Sequence, residues 1–385
     1  MTAPRPLLVF ADDWGRHPSS CQHLIRQLLP RREVVWVNTI GTRPPRLDWS
    51  TANRVMGKLR QWTKPSEPAP DDTALRPRVI APKMWPSFRS AFGRSLNRRL
   101  LLKSLRPLVE ALPVPPIVIT TLPLVADLIG ELPAARCVYY CVDDFSVWPG
   151  YDGATMLRME RDLIPKVDAN IAVSETLQRH IATFGKSAKL LTHGVDLEHW
   201  TRTLHDRIPS EFVGIQLPIV LFWGVIDRRM DTAVVKHLAS KLKVGTLVFV
   251  GPQEDPDPEL LRLQNAVFRP PAAFDRLPLL AHHAAVLMMP YADLPVTRAM
   301  QPLKLKEYLA TGKPAVVRDL PSTREWADAA DAVDSAESFT VRVLERIAGG
   351  LPAGQRLARQ RLSAESWAGK AAEFEAIIDG PAPTA

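Results

Sequence analysis

The 385-residue chain is 46% hydrophobic and 23% charged, a balance that allows a sizeable buried core and excludes a mostly disordered protein. Its length suits two domains of roughly 150–200 residues rather than a single core. Formal net charge is +8, and the three cysteines (Cys21, Cys137, Cys141) are too few for a disulfide framework and hold no CxxC pair. No apolar run approaches the roughly 18–20 residues needed to span a bilayer. Met1 to Phe10 lacks a long signal-type apolar core, so a soluble, cytoplasmic protein is expected.

Short β-rich runs alternate with helical patterns along the chain, the signature of βα units and parallel sheets. The first half predicts strands at Leu7–Phe10, Val34–Val37, Ile117–Thr120, Cys137–Val142, Asn170–Val173 and Leu190–Thr192. Helices fall between them, such as Ser20–Leu29 and Glu175–Phe184; the latter has Ser174 as N-cap and Gly185 just past its end. A Pro-containing polar stretch around 200–217 precedes a second series. Its strands are Ile219–Trp223, Thr246–Val250, Ala285–Met289 and Ala315–Val317, with helices at Thr232–Leu242, near Asp275–Ala284 and at Pro302–Thr311. A last helical pattern, Ser363 to Ile378, carries Trp367, Phe374, Ile377 and Ile378 on one side. The expectation is an α/β protein of two doubly wound, Rossmann-like domains, 1–205 and 206–362, with residues 363–385 as a C-terminal helix. Two such domains would hold a ligand between the C-terminal ends of their sheets.

The positive charge is concentrated. From Arg78 to Arg106 there are eight basic residues and no acid, and between Arg43 and Lys64 six basic residues face only Asp48. Large apolar residues interleave with them: Trp49, Val55, Met56, Leu59 and Trp62, then Met84, Trp85, Phe88, Phe92 and Leu96. Basic and aromatic residues at three-to-four spacing describe an amphipathic element lying on an anionic membrane surface, with Trp85, Phe88, Arg94, Arg98 and Arg99 as contacts. The alternative is a solvated helical pair whose apolar stripe is core. Nucleic acid is not expected as a partner, because no zinc-finger spacing, ribonucleoprotein motif or other reading module is present.

The most informative window runs from Met300 to Val317, MQPLKLKEYLATGKPAVV. Gln301 can cap, Pro302 suits the first helical position, and Gly312 ends the helix before a buried strand. Lys304 then sits in the first turn, where a cation opposes the helix dipole. Backbone N–H groups at a helix start bind anions, and Lys304 with Lys306 nearby would make a diphosphate site. Glu307, one turn after Lys304, can accept hydrogen bonds from ribose hydroxyls; an internal Lys304–Glu307 ion pair on a wet surface explains the spacing equally well. A second cationic spot, Gly224-Val225-Ile226-Asp227-Arg228-Arg229, follows the first strand of the second series. Paired arginines ahead of a helix are good phosphate ligands, although most such pairs are simply solvated.

In the first half, YYCVDDFSVWPG places Asp143 and Asp144 at the end of a buried strand. Either could take the proton of an acceptor hydroxyl as general base, or merely cap the next turn. Trp14, Arg16 and His17 occupy the matching edge after the first strand, and His193-Gly194-Val195-Asp196 closes the last one. Histidines and cysteines show no metal-ligand spacing.

PLKLKEYLATGKPAVV, together with HGVD, resembles the GT-B glycosyltransferases, especially the large retaining family 4. With YYCVDDFSVWPG upstream, the chain is most similar to enzymes of bacterial cell-surface polysaccharide assembly, including teichuronic-acid-type glycosyltransferases and membrane-associated exopolysaccharide glucuronosyltransferases. The likeness of rhythm runs along most of the chain; the specific motifs occupy about fifty residues. The resemblance implies that Glu307 holds the nucleotide ribose, Lys304 lies near the diphosphate and Tyr291 lies near the nucleotide. Arg228 or Arg229 would take the place of the family's phosphate-binding pair, though at a different spacing, and Asp143 that of the general base. Gly224 and Leu303 complete the nucleotide-sugar set, and Asp144 and His193 join Trp14, Arg16 and His17 as acceptor residues. Retaining members carry a glutamate eight residues before the second; position 299 is Ala here, which leans toward inversion. Trp367 would anchor a C-terminal helix crossing back to the first domain.

The expected activity is transfer of a sugar from a nucleotide-sugar donor, a UDP-sugar, to a lipid-linked or polysaccharide acceptor at the inner face of the plasma membrane. No cofactor or metal is expected, since Lys, Arg and helix dipoles can stabilise the departing diphosphate. A nucleotide-sugar epimerase or hydrolase of the same fold, and a non-catalytic nucleotide-sugar- or nucleic-acid-binding protein, are the alternatives.

Overall fold

The computed structural model describes residues 4–15, 19–38, 75–85, 87–202 and 208–380, which form two compact units. The first comprises the chain through Ala172, Gln178–Leu190 and the chain from Ala371 onward. Its sheet contains β1 (Leu7–Ala11), β2 (Val34–Asn38), β3 (Arg78–Ile80), β4 (Ile117–Thr120), β5 (Arg136–Cys141), β6 (Ala169–Ala172) and β7 (Lys189–Leu190), in the order β3-β2-β1-β4-β5-β6-β7. The second unit comprises Val173–Leu177 and Leu191–Lys370. Its strands are β8 (Ile219–Trp223), β9 (Ile226–Asp227), β10 (Thr246–Val250), β11 (Gln253–Glu254), β12 (Ala266–Arg269), β13 (Val286–Met289), β14 (Ala315–Arg318) and β15 (Asp331–Val333). Six of them form one sheet, β12-β10-β8-β13-β14-β15, while β9 and β11 pair separately.

Both large sheets are parallel throughout. The central strands explain why: LLVFA, IVLFW, TLVFV and VLMM are continuous apolar runs buried along their whole length, as a sheet covered on both faces requires. Each sheet winds outward from its first strand in two directions, so β1 lies beside β4 and β8 beside β13. The gap beyond the C-terminal ends of such a pair is the switch point where open α/β sheets bind ligands.

The α/β doubly wound class read from the sequence is the class observed. The edge strands β3, β12 and β15 were not legible, because they are three or four residues long and carry Arg78, Arg269 and Asp331. Short charged edge strands protect a sheet from pairing with other chains but blur its alternation. The run expected at Leu190–Thr192 pairs only through Lys189–Leu190.

The basic run from Arg78 to Arg106 divides into β3 and a twenty-residue helix, Ala91–Glu110, whose N-cap Ser90 accepts from the Gly93 N–H at 3.0 Å. Residues Trp49, Val55, Met56, Leu59 and Trp62 lie outside the described residues. Among the described residues, no helix is long and apolar enough to cross a membrane.

The final helix, Trp367–Asp379, belongs to the second unit through Lys370 and to the first from Ala371. Its first-unit part is fastened by the buried Arg32, which donates to Glu375 at 2.9 Å and also pairs with Asp379. Phe374 packs against Tyr140, ring centroids 5.5 Å apart.

Candidate functional site

In the second unit the loops leaving β8 and β13 are sewn together at the switch point. Met230 and Tyr291 form an antiparallel bridge, Ala292 N–H donates to the Arg229 carbonyl at 2.8 Å, and Asp231 N–H donates to the Pro290 carbonyl at 2.8 Å. This fixes Tyr291, which is fully buried, directly beside the start of the Leu303–Ala310 helix. Lys304 Nζ donates to the Tyr291 hydroxyl at 2.7 Å and lies 5.3 Å from the Tyr291 ring centroid and 5.5 Å from that of Phe222. Gly224 makes room for it. A Cβ at position 224 would stand 2.7 Å from both Cε and Nζ of Lys304, and its φ of +133° is itself unsuited to a side chain. The first-turn lysine, unfavourable against the helix dipole, is therefore held over aromatic faces and a hydroxyl.

Glu307 follows on the same helix. Its Oε2 accepts from the indole Nε1 of Trp223, the last residue of β8, at 3.2 Å. Trp223 is itself clamped: its ring stacks on Trp200 at 5.5 Å and meets Tyr308 edge-on at 4.3 Å. Burial pushes the Glu307 carboxyl up to about 7, against the Trp223 hydrogen bond and the Lys304 charge, which pull it down. No Lys304–Glu307 ion pair within 4 Å is formed; the lysine goes to Tyr291 and the carboxylate to Trp223. A lysine, a helix start and a desolvated carboxylate converge at one sheet edge, a combination suited to a diphosphate and a vicinal diol.

Several nearby residues are placed differently from the sequence expectation. Pro302 occupies the N-cap position and the helix begins at Leu303, which is half-buried. Gln301 instead accepts from the His193 N–H at 2.6 Å. Lys306 is buried, pairs with Glu365 and donates to the His193 carbonyl at 2.6 Å, so it does not share an anion with Lys304. Burial holds its pKa below the usual lysine value. Gly194 is required by close packing, since a Cβ there would lie 2.8 Å from the Trp367 ring. His193 is buried 6.5 Å from that ring, within the second unit.

The two loop arginines also part company. Arg229 folds back onto Asp227 (2.8 Å) and is buried, whereas Arg228 is exposed and meets Asp255 only at 3.4 Å. Only Arg228 projects from the loop as expected of both.

In the first unit, the acidic pair after β5 separates in the same way. Asp144 Oδ1 accepts from both the backbone N–H (3.0 Å) and the hydroxyl (2.5 Å) of Ser146, making it the turn-capping acid. Asp143 is half-buried, and its carbonyl accepts from the Cys141 thiol at 3.7 Å. The strand and helices behind it hold a buried cluster that the sequence did not reveal. Glu160 accepts from the Tyr139 hydroxyl at 2.7 Å and lies 2.8 Å from His180 Nε2, and this hydrogen bond raises the histidine pKa. Trp14 is half-buried against Trp36, centroids 4.7 Å apart, with Arg26 5.4 Å over its ring. Arg16 and His17 lie outside the described residues.

The basic helix requires a correction. Arg94 makes paired hydrogen bonds to Asp127 (2.6 and 2.9 Å) and another to Asp162 (2.7 Å), and Arg98 pairs with Glu131 at 2.5 Å. Their charge is answered by acids from elsewhere in the chain, so the missing local acids do not leave these arginines free for a membrane. They line a groove of about 540 Å³ together with Phe88, Asp127, Glu131 and Arg158.

The fold has counterparts among solved structures. Sucrose-phosphate synthase from Thermosynechococcus elongatus is 14% identical and superimposes with a TM-score of 0.69, covering 96% of this chain and 97% of that one. Anabaena HepE, solved in complex with UDP and glucose, is 15% identical with a TM-score of 0.64 over 98% of this chain and 100% of its own. The chain has the GT-B fold. Among curated proteins it matches TuaH of Bacillus subtilis (strain 168), named as a candidate teichuronic acid biosynthesis glycosyltransferase, at 30% identity over 172 residues. That match spans 43% of this GT-B chain and 43% of the relative's length. No protein-family model matches the chain.

Proposed function

We propose that this chain is a glycosyltransferase that moves a sugar from a UDP-sugar to a lipid-linked or polysaccharide acceptor in bacterial cell-surface polysaccharide assembly, at the inner face of the plasma membrane. The observation that carries the reading is the convergence of Lys304, Tyr291, Gly224, Trp223 and Glu307 at the switch point of the second-unit sheet. The GT-B fold, HepE's complex with UDP and glucose, and TuaH's name support it.

In this reading Glu307 accepts hydrogen bonds from the ribose hydroxyls. The diphosphate lies across the start of the Leu303–Ala310 helix, with Lys304 on one side and Arg228 on the other. An acceptor hydroxyl oxygen forms a bond to the anomeric carbon while the bond from that carbon to the diphosphate breaks. UDP leaves with the electron pair, and Asp143 takes the hydroxyl proton. Lys304, Arg228 and the helix N–H groups supply the positive potential that the leaving diphosphate needs, so the reading calls on no metal or cofactor.

Calorimetry with UDP, GDP, ADP and TDP tests it. UDP should bind selectively, and Lys304→Ala should weaken that binding at least tenfold. Absence of binding by all four nucleotides, or an unchanged affinity in the variant, overturns the assignment of this site.

A further inference from the structure

With Arg94 and Arg98 occupied by acids, the Ala91–Glu110 helix still has an unanswered face. Gly93, Asn97, Leu101, Leu105 and Val109 are buried, at the i, i+4 spacing of a helix lying on its sheet. At 100° per residue, Phe92, Arg99, Lys103 and Arg106 fall within about 60° of one another on the opposite side. All four are exposed. Phe92 keeps 73% of its surface open to solvent. Among the described residues, no carboxylate pairs with Arg99, Lys103 or Arg106, and Arg106 donates only to the Glu131 carbonyl at 3.1 Å.

A second exposed aromatic lies just ahead of the helix, its ring edge beside Gly93. Trp85 is 50% exposed, yet its backbone is tightly held. Its N–H donates to the buried Asn97 Oδ1 at 2.6 Å, and Asn97 Nδ2 donates back to the carbonyls of Trp85 (3.0 Å) and Ser87 (3.2 Å). A buried amide thus spends two hydrogen bonds on a residue whose indole stays half in water, and a third on Ser87 beyond it. Leaving Phe and Trp surface in solvent sacrifices hydrophobic stabilisation. Three cations that pair with no carboxylate, beside exposed aromatics and with Glu110 at the helix end the one acid of the helix, match a surface that is both anionic and apolar just below its charge.

We propose that the Trp85, Phe92, Arg99, Lys103 and Arg106 stripe docks the protein on an anionic lipid surface, the two rings entering the interface and the three cations meeting headgroup phosphates. This deepens the membrane part of the proposed function, and rests on that reading only for the reason the enzyme would be there. Arg94 and Arg98 instead hold the helix onto its own unit. The aromatics favour lipid over nucleic acid, since no reading module accompanies them.

Flotation of the full chain with vesicles of phosphatidylcholine, alone or with phosphatidylglycerol, tests the stripe. The wild type should float only with the anionic vesicles, and less as salt is raised. Each cation is worth about fivefold in binding, so R99E/K103E should lose at least tenfold, and W85S/F92S should lose binding at unchanged charge. R94Q should keep vesicle binding. Equal flotation with neutral vesicles, undiminished binding of R99E/K103E, or tighter binding to a single-stranded oligonucleotide than to vesicles overturns the proposal. Circular dichroism and UDP calorimetry on the same variants separate the two readings. Retained UDP binding with lost flotation supports the stripe, whereas a wild type that floats but binds no UDP leaves the stripe standing and removes the donor-site reading.

Discussion

Trp223 and Glu307 are 84 positions apart, and the indole N–H of one holds the carboxylate of the other at 3.2 Å across the end of the parallel sheet. With the carboxyl pushed up to about 7 by burial, the group is half-protonated near neutrality. Only its ionised form is a full acceptor for two donor hydroxyls.

Affinity for UDP-glucose, whose diphosphate has no proton to lose in this range, should therefore rise as pH increases through about 7. It should be nearly flat with pH in Glu307→Gln. Trp223→Phe removes the bond that holds the carboxyl down, so the midpoint should move to higher pH with about a tenfold loss of affinity. A purely structural tryptophan would leave the midpoint unmoved. The stability of the free protein should respond in the opposite sense. A folded pKa raised above the usual 4.5 contributes stability that is complete below 4.5 and is lost as pH rises through about 7. Glu307→Gln should thus melt higher than wild type at pH 8 while binding the donor less well.

Lys306 should matter for stability and not for the nucleotide. Its ammonium is buried between Glu365, the His193 carbonyl and, at 3.3 Å, the Thr192 hydroxyl. Lys306→Met should cost about 3 kcal/mol in denaturant unfolding, the low end for breaking a buried pair, because Lys370 remains 3.2 Å from Glu365. UDP affinity of the folded fraction should be unchanged. A large loss of affinity at normal stability would restore Lys306 to the anion site.

The neighbouring acids Asp143 and Asp144 should separate cleanly. Asp143→Asn should preserve UDP binding and the melting temperature but abolish sugar transfer. Asp144→Asn weakens the Ser146 turn and should lower stability by about 1 kcal/mol with only a modest loss of turnover. Near-normal turnover in Asp143→Asn would remove it as the base.

How far the fold could be read depended on burial. Strands such as β8 and β10 lie inside sheets covered on both faces, so they must be continuous apolar runs whatever surrounds them. Such runs declare themselves in one dimension, as do the Ser174 cap and the Gly312 stop. Edge strands β3, β12 and β15 answer to solvent on one side and lose that signature.

Charge obeyed a different rule. Residue type, helix position and likeness to GT-B enzymes were enough to single out Lys304, Glu307 and Asp143 as candidates. The roles of their neighbours were settled by partners distant in sequence: Lys306 by Glu365, 59 positions on, and Arg94 by Asp127, 33 positions on. A cation's meaning depends on which acid reaches it through a few ångströms of low-dielectric space. That distance is created only when the sheets and helices pack, so the linear order foretold the frame and offered the candidate side chains. Tertiary structure alone decided which charges were neutralised, which carboxyl was desolvated, and which face of the basic helix was left to meet something else.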